Sequence, residues 1–335
     1  MFGVDLLMQS LTDTLDAADY RVQSGRHAVD RVWPTGFDAL DEYLTGGFRS
    51  GDLVLCGGQQ GAGKTTFVLQ VARNIARAGR PVLYFCYEHD QETMLIRLLA
   101  LEAGLIGGVE APNIQRIRRT FEASDGLGRN LNERLNDTSG GAEAIEIVRE
   151  YSDRLVIHRS SGSQTNLDQI KQAIVEMREV TGVSPFVCVD YLQKIPFPGT
   201  PNEDERITHV VEGVKDMALD YDVPVLCVVA SDKEGISAGV RMRVNHLRGS
   251  SALAYEADTI LMLNNKYDVV ARHHLVYDAG NIERFKHWAV ISIEKSRSGV
   301  TGVDLEFPKR FDQSRFETKG QLVREKLMDE RVFTE

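Results

Sequence analysis

Short apolar runs alternate along this chain with longer segments in which apolar residues recur every three to four positions. The runs occupy 52–56, 81–87, 154–157, 186–190 and 224–229, and the periodic segments between them occupy 65–80, 91–103, 166–180 and 204–220. Short apolar runs are typical of strands buried on both faces, and the helical period predicts helices. Strands that alternate with helices predict an α/β fold, with a mainly parallel central sheet flanked by helices.

The two ends of the chain depart from this pattern. Apolar runs at 257–263 and 288–294 follow one another closely and predict hairpins at one edge of the sheet. Residues 1–32 predict an N-terminal helix, at about 1–18, followed by a polar linker that reaches residue 33. One face of this helix would pack either on its own domain or on a neighbouring subunit. That face carries Val4, Leu7, Leu11 and Leu15.

The region between these ends is predicted to be one large domain over residues 33–316. Within it, residues from about 104 to 150 are polar and contain several glycines, which indicates an insertion with helices and not a separate domain. Residues 317–335 are rich in charged side chains and predict a tail that is helical or mobile.

The composition is typical of a soluble globular protein. The 335 residues are 42% hydrophobic and 26% charged, and no apolar run approaches the roughly 18 residues of a membrane span. The four cysteines lie in apolar runs and none is in a C-x-x-C pair, so we expect reduced core residues and a cytoplasmic protein. A net charge of −10 argues against binding nucleic acid through bulk charge, although a ring can be acidic outside and basic within.

A phosphate-binding loop separates the apolar run at 52–56 from the helix predicted at 65–80. The pattern G-x-x-x-x-G-K-[ST] is present as Gly58, Gly63, Lys64 and Thr65. Glycines let successive backbone N–H groups turn inward, and the N-terminus of the next helix also favours an anion. Lys64 is predicted to reach the β- and γ-phosphates of ATP, and the Thr65 hydroxyl to bind Mg²⁺. The expected nucleotide-binding residues are Gly58, Gln59, Gln60, Gly61, Ala62, Gly63, Lys64, Thr65 and Thr66.

Two carboxylates follow predicted strands. In a nucleotide-binding sheet the ligand lies at the carboxyl ends of the strands, so Asp190, at the end of the run 186–190, is predicted to hold Mg²⁺. Glu88 ends the strand that comes next after the phosphate loop, and is the best-placed carboxylate to orient and deprotonate water. Asp90 and Glu92 lie close by in sequence and are alternatives for that role.

Two basic segments are candidates for contacts with phosphate. Lys295 and Arg297 lie two residues apart, on one face of an extended segment. They could reach the γ-phosphate bound to a neighbouring subunit, but by themselves they slightly favour a basic hairpin in solvent. The segment 239–249 carries Arg241, Arg243 and Arg248 with no acid between them. It predicts either a pore loop that binds DNA phosphates or a basic surface loop.

Together these residues resemble the C-terminal, RecA-like motor domain of DnaB-type replicative helicases. The resemblance runs from about residue 35 to residue 316. The phosphate loop is common to many families, whereas Asp-Tyr-Leu-Gln followed by Lys-x-Arg-x-Gly-x-Thr-Gly is much more specific. The stretches that carry it are Thr35–Asp41 with Gly46 and Gly47, the phosphate loop, Tyr87-Glu88, Asp190-Tyr-Leu-Gln193, Leu247–Asp258 and Lys295–Gly302.

The resemblance implies a hexameric ring that binds ATP and Mg²⁺ between subunits. In such a ring Glu88 would be the catalytic base and Asp190 the Mg²⁺ ligand. Lys295 and Arg297 would be delivered in trans, which reverses the preference stated for these two residues alone. The loops after Asp190 and after Val229 would face single-stranded DNA in the central channel.

Two departures from that family keep other functions open. The chain shows no counterpart of the family's N-terminal helical domain, whose place a partner protein could take. Ala230 stands where the family typically has a glutamine that senses nucleotide state, and a methyl group cannot form a hydrogen bond. A third difference, in addition to these two, is Gly249, which stands where the family commonly has glutamate after the arginine.

The favoured function is therefore an ATP-driven DNA helicase. The alternative is a ring ATPase of the DnaB, KaiC or RadA type with a regulatory or recombination-accessory role and no unwinding. A nucleotide-binding assembly protein without catalysis is the third possibility, and the retained Glu88, Asp190, Lys295 and Arg297 argue against it.

Overall fold

The structure of the chain is a computed structural model, and it describes residues 10–24, 31–200, 202–231, 240–249, 251–276 and 279–329. Its strands are β1 Val32–Trp33, β2 Phe48–Arg49, β3 Leu53–Gly58, β4 Val82–Cys86, β5 Leu155–Arg159, β6 Phe186–Asp190, β7 Val225–Val228, β8 Thr259–Asn265, β9 Trp288–Ser296, β10 Val303–Arg310, β11 Arg315–Phe316 and β12 Gln321–Leu322.

Helices occur between most of these strands. They are α1 Leu11–Gln23, α2 Asp38–Tyr43, α3 Lys64–Arg77, α4 Gln91–Gly107, α5 Ile114–Glu122, α6 Leu131–Leu135, α7 Gly141–Tyr151, α8 Leu167–Thr181, α9 Glu203–Asp220, α10 Ser251–Glu256, α11 Lys266–Val269, α12 His273–Val276 and α13 Ala279–Lys286. Within the described ranges, no helix combines the length and the apolar character that crossing a membrane requires.

One large sheet organises the chain, in the strand order β11-β10-β9-β8-β3-β7-β6-β4-β5. Strands β3 to β8 are mutually parallel, whereas β9 pairs antiparallel with both β8 and β10. The mainly parallel α/β sheet with a hairpin at one edge is therefore confirmed. The central strand β3 lies between β7 and β8. Because these strands are parallel, their carboxyl ends lie at the same edge of the sheet.

Helices cover both faces of the sheet, and the alternation of side chains along β3 explains why both faces are apolar. Val54 and Cys56 belong to one hydrophobic cluster, with residues of α3, α4 and α7. Leu53 and Leu55 belong to a second cluster, with residues of α8, α9 and α10. All four side chains are fully buried, as expected for a central parallel strand.

The N-terminal helix differs in position from the prediction. Residues 1–9, which include Val4 and Leu7, lie outside the described residues. Helix α1 begins after Ser10, whose hydroxyl accepts a hydrogen bond from the Asp13 amide in a capping box, and it continues to Gln23 through part of the predicted linker. Its apolar face is not buried against the described part of the chain, because Leu11 is 87% exposed and Leu15 68%.

The predicted insertion contains α5, α6 and α7, and its first residues extend the core helix α4. Glu102 of α4 is fully buried and accepts hydrogen bonds from Arg73 Nε at 2.6 Å and from the Tyr151 hydroxyl at 2.9 Å. These contacts join α3, α4 and α7 through one buried carboxylate, so the helix that ends the insertion is tied to the core.

The C-terminal segment differs from the helical or mobile tail that its composition predicts. Residues 317–329 contain no helix, and β12 pairs antiparallel with β10. The Glu325 carboxylate lies 2.7 Å from Nζ of Lys266, a side chain that is 1% exposed and also binds Glu306. Backbone pairing and a buried ion pair, neither of which is visible in the local sequence, fix this segment against the sheet.

Candidate nucleotide-binding site

The phosphate loop connects β3 to α3 through glycines whose backbone conformation excludes other residues. Gly58 has φ of 150° and Gly63 has φ of 93°, both in the region that favours glycine. A Cβ atom on Gly58 would lie 2.4 Å from the carbonyl oxygen of Leu263, and one on Gly63 would lie 2.4 Å from Cζ of Phe311. The loop therefore needs glycine at these two positions for space as well as for dihedral angles.

Lys64 is the first residue of α3, and its side chain folds back over the loop. Its Nζ atom donates hydrogen bonds to the carbonyl oxygens of Gly58, at 2.7 Å, and Gln59, at 2.9 Å. Burial lowers the pKa of Lys64, while Asp190 and Glu88 act in the opposite direction. The ammonium is thus held beside the loop, among acidic groups.

The loop opens onto a cleft of about 660 Å³. Glu88 and Asp190 line this cleft together with the loop, which is the arrangement expected from the sequence. Strands β4 and β6 are neighbours with Cys86 opposite Asp190, so Glu88, two residues beyond Cys86, comes to the same edge. The predicted site residues that line the cleft are Gln60, Gly61, Gly63, Lys64, Thr65, Thr66, Glu88, Asp190 and Arg248.

Two of the predicted loop residues use their side chains elsewhere. Gln59 is 8% exposed, and its Nε2 donates a 2.7 Å hydrogen bond to the carbonyl of Val240. Ala62 is fully buried in the hydrophobic cluster on the α3 face. These residues support the shape of the loop, and only their backbone groups are candidates for phosphate contacts.

Asp190 is a buried carboxylate with one satisfied and one unsatisfied oxygen. The Tyr84 hydroxyl donates a 3.0 Å hydrogen bond to Oδ2, whereas Oδ1 has no hydrogen-bond partner among the described residues. Burial raises the pKa of Asp190 to about 6, the Thr65 and Tyr84 hydroxyls oppose this rise, and Glu88 adds to it. A buried, unpaired carboxylate oxygen next to a threonine hydroxyl is the donor set that suits Mg²⁺.

Lys295 and Arg297 lie away from the cleft, at the end of β9. Lys295 Nζ donates to the carbonyl oxygens of Ala254 and Tyr255, at 2.7 and 3.1 Å. The Arg297 guanidinium is 3.1 Å from Oδ1 of Asp258 and remains 54% exposed. Among the described residues that line the cleft, neither of these two cations is found.

The predicted DNA-binding arginines are only partly available. Arg241 is 4% exposed and forms a buried ion pair with Asp304 and a hydrogen bond to Ser292. This burial argues against the predicted DNA contact of Arg241, because the guanidinium is already desolvated and paired.

The other two arginines are closer to solvent. Arg243 is paired with Glu294 at 2.7 Å and Asp329 at 2.8 Å, so its charge is largely neutralised. Arg248 is 52% exposed, lines the cleft and forms a surface ion pair with Glu203. Of the three arginines in this segment, Arg248 is therefore the most accessible.

Sequence reasoning missed several residues of the cleft. Arg97 lines it from α4, and its Nε atom is buried without a hydrogen-bond partner among the described residues. Its position nine residues after Glu88, on the helix that follows a strand ending at the cleft, is a signal that could have identified it. Phe311 also lines the cleft, but its place beside Gly63 depends on the distant β10 and is not visible in the local sequence.

A phosphate loop between the central strand and its helix, with acids at the ends of neighbouring parallel strands, defines an α/β core of the RecA-like phosphate-loop class. The chain belongs to the DnaB-like helicase C-terminal domain family, whose model matches residues 33–318. The resemblance drawn from the motifs is thereby confirmed.

Similar proteins agree with this assignment. The replicative DNA helicase DnaB of Pasteurella multocida is 29% identical over 316 residues, which are 93% of this chain and 60% of that protein. DnaB of Haemophilus influenzae is 27% identical, over 95% of this chain and 62% of that protein. This chain thus spans about 60% of the length of these relatives.

Solved structures share the fold. A structure described as an ATPase domain superposes with a TM-score of 0.70 at 21% identity, covering 92% of this chain and 98% of that one. A structure of a DnaB-like replicative helicase, described together with its interactions with primase, gives a TM-score of 0.68 at 20% identity, over 89% of this chain and 66% of that one.

Proposed function

We propose that this chain is the ATP-hydrolysing motor of a DnaB-type DNA helicase, acting in the cytoplasm on single-stranded DNA as a ring of identical subunits, with residues 33–316 as the motor domain. The observation that carries the proposal is the convergence of Lys64, Thr65, Asp190 and Glu88 in one cleft of about 660 Å³. This is the set of a cation, a hydroxyl, a metal-binding carboxylate and a base that phosphoryl transfer to water requires.

Each residue has one task in the proposed mechanism. The backbone N–H groups of the loop and Nζ of Lys64 bind the phosphates and offset the charge that develops on them. Thr65 and Asp190 would hold Mg²⁺, which would supply positive charge that neutralises the phosphate oxygens. Glu88, exposed in the cleft, orients a water molecule in line with the γ-phosphate and takes its proton.

Assembly completes the site in this proposal. Neither Lys295 nor Arg297 lines the cleft of its own subunit, and Arg297 is half exposed, which supports a role for the two cations in the site of a neighbour. The apolar face of α1, with Leu11 and Leu15 exposed, supplies a surface that a neighbouring subunit can cover. Hydrolysis would then depend on the formation of the ring, and a partner protein could contribute the functions of an N-terminal domain.

A ring ATPase without unwinding activity is the second candidate, because of two specific observations. Ala230 lines the cleft with a methyl group, which cannot sense a phosphate by hydrogen bonding. Arg241 and Arg243 are two of the three arginines predicted to bind DNA phosphates, and they are occupied by Asp304 and by Glu294 and Asp329.

The rate of ATP hydrolysis, measured with and without single-stranded DNA over a range of protein concentrations, tests the proposal. A motor that assembles on DNA should show a specific activity that rises cooperatively with concentration and is stimulated by DNA. Turnover that rises with concentration but ignores DNA would favour the second candidate. Absence of turnover under all these conditions would contradict both.

A further inference from the structure

The two basic residues at the end of β9 are held by the carboxyl-terminal end of a short helix. Lys295 donates to the carbonyl oxygens of Ala254 and Tyr255, and Arg297 donates to that of Tyr255 at 3.0 Å. Both acceptors belong to the last turn of α10. The carbonyl groups at the end of a helix carry partial negative charge, so they stabilise cations in this position.

Asp258, two residues after α10, supplies the charged part of this arrangement. Its Oδ1 atom is 3.1 Å from Nη1 of Arg297, and its backbone oxygen accepts a 2.9 Å hydrogen bond from the Arg297 amide. Its Oδ2 atom accepts from Nζ of Lys215 and from the backbone N–H of Leu53, both at 2.7 Å. The carboxylate side chain is 6% exposed, whereas the arginine it holds is 54% exposed.

This contrast in exposure distinguishes Asp258 from an ordinary surface partner. Lys215 and Leu53 fix the carboxylate through Oδ2, so Oδ1 presents a preset anchor to the guanidinium. The Tyr255 carbonyl gives the planar group a second fixed contact, which an exposed arginine would otherwise lack. The Arg297 guanidinium is therefore oriented by Asp258 and Tyr255, while the rest of the group remains exposed to solvent.

We propose that Asp258 is a positioning residue for Arg297, and that it aims the guanidinium at nucleotide bound by the neighbouring subunit. This inference rests on the proposed function, because it needs a ring in which Arg297 acts in trans. Asp258 itself touches no nucleotide. It acts by keeping Arg297 in the orientation in which a γ-phosphate across the interface meets it.

The alternative is that Asp258 serves only the fold, through Leu53 and Lys215. Subunit mixing separates the two roles. A Glu88→Gln subunit has no base but still offers its Arg297, whereas an Arg297→Ala subunit keeps its own cleft but spoils the site of its neighbour. Mixed rings of these two variants should regain activity, because some sites combine an intact cleft with an intact arginine. This mixture is the reference for the test.

The Asp258→Asn variant should behave as Arg297→Ala does. We expect its homogeneous ring to lose roughly ten- to a hundred-fold in ATP turnover, as a misplaced catalytic group does. Its affinity for a fluorescent ATP analogue should be unchanged, and mixing with Glu88→Gln should restore turnover. The double variant Asp258→Asn/Arg297→Ala should be no slower than Arg297→Ala alone.

Lys215→Met is the matched control. It removes the ion pair at Oδ2 of Asp258 but leaves the contact between Oδ1 and Arg297. Mixing it with Glu88→Gln should therefore not change the turnover per Lys215→Met subunit.

Three results would overturn this inference. They are a failure of Asp258→Asn to regain activity in mixtures where Arg297→Ala does, an added loss in the double variant, and turnover of the Arg297→Lys ring at the wild-type rate. Because the Arg297 side chain is exposed, the Arg297→Lys protein should fold even if Asp258→Asn does not. The lysine ammonium lacks the planar guanidinium with which Arg297 contacts both Asp258 and Tyr255. If Arg297→Ala itself gains nothing in rings shown to mix, action in trans fails, and with it the proposed ring mechanism.

Discussion

The hydroxyl of Tyr84 donates a 3.0 Å hydrogen bond to Oδ2 of Asp190, while Oδ1 of the same carboxylate is buried without a hydrogen-bond partner among the described residues. The first contact fixes the orientation of the carboxylate from inside the sheet. The residue lines the cleft together with Thr65. A buried acid arranged in this way is costly to the protein alone and useful once a cation is bound.

Replacing Asp190 by Asn should stabilise the protein in the absence of nucleotide. The pKa of Asp190 is raised to about 6 from 3.8, so above pH 6 the folded state must hold a buried charge that the unfolded state hydrates. This cost is at most about 3 kcal/mol at pH 8. It falls to about 0.6 kcal/mol at pH 4 and disappears below about pH 3, where both states are protonated.

Thermal unfolding in EDTA at pH 4, 6 and 8 checks this expectation. The gain in Tm of Asp190→Asn over wild type should be largest at pH 8 and should shrink towards pH 4. Addition of MgATP should raise the Tm of wild type much more than that of the variant. A variant that is less stable than wild type at pH 8 without ligand would show that the carboxylate supports the fold.

Replacing Lys64 by Ala should remove ATP turnover and leave the fold intact. The ammonium contributes charge at the phosphates and binds only backbone carbonyl oxygens of its own loop, so its loss breaks no contact with another element. We expect a decrease of roughly 100-fold or more in ATP hydrolysis, with an unchanged circular dichroism spectrum. Lys286→Ala, at an ion pair with Glu283 on α13, is the control and should keep wild-type turnover. Normal hydrolysis by Lys64→Ala would refute the assignment of the loop.

The three arginines between residues 241 and 248 should separate into a structural and a functional group. Arg241→Ala removes a buried guanidinium from Asp304, which is 29% exposed, and should cost about 2 kcal/mol of unfolding free energy. Arg248→Ala removes only an exposed ion pair with Glu203 and should cost less than about 1 kcal/mol.

Urea unfolding gives the stabilities, and the salt dependence of single-stranded DNA binding gives the function. If Arg248 contacts a phosphate, its removal should lower the slope of log K against log salt by about 0.7. A stable Arg241→Ala protein with a reduced slope would instead restore the original prediction that this residue binds DNA.

The C-terminal segment should contribute to stability through Glu325. Glu325→Gln weakens one of the two carboxylate contacts of Lys266, a cation that is 1% exposed and keeps Glu306, and should cost about 1.5 kcal/mol. Arg284 is the other partner of Glu325 and is 54% exposed, so Arg284→Gln should cost less than about 1 kcal/mol. Equal effects of the two changes in urea unfolding would indicate that Lys266 is satisfied by Glu306 alone.

The sequence predicts those parts of this molecule that depend on neighbours in the chain. The run at 186–190 matches β6 at both ends, and the phosphate loop is recognisable because its chemistry lies within eight residues. The capping box of Ser10 and Asp13 is also a local signal, and it correctly marks where α1 begins, although the prediction placed the helix earlier.

The features that sequence reasoning missed are pairings between distant residues. Arg241 and Asp304 are 63 positions apart, and Lys266 and Glu325 are 59 positions apart. Nothing in the segment 239–249 shows that Asp304 of β10 neutralises Arg241, so the local sequence predicts a cation that is free to bind phosphate. The charged tail follows the same logic, because its structure is set by β10 and Lys266 and not by its own composition.

The folded-back side chain of Lys64 has a consequence for the kinetics of nucleotide entry. Its ammonium rests on the carbonyl oxygens of Gly58 and Gln59, so an arriving phosphate must replace these two acceptors. Exposed side chains rotate in picoseconds to nanoseconds, and we expect the release of two hydrogen bonds by the partly buried Lys64 still to be fast compared with the interval between encounters with ATP. The association rate of nucleotide should therefore be set by diffusion into the cleft, and its temperature dependence should follow the viscosity of water.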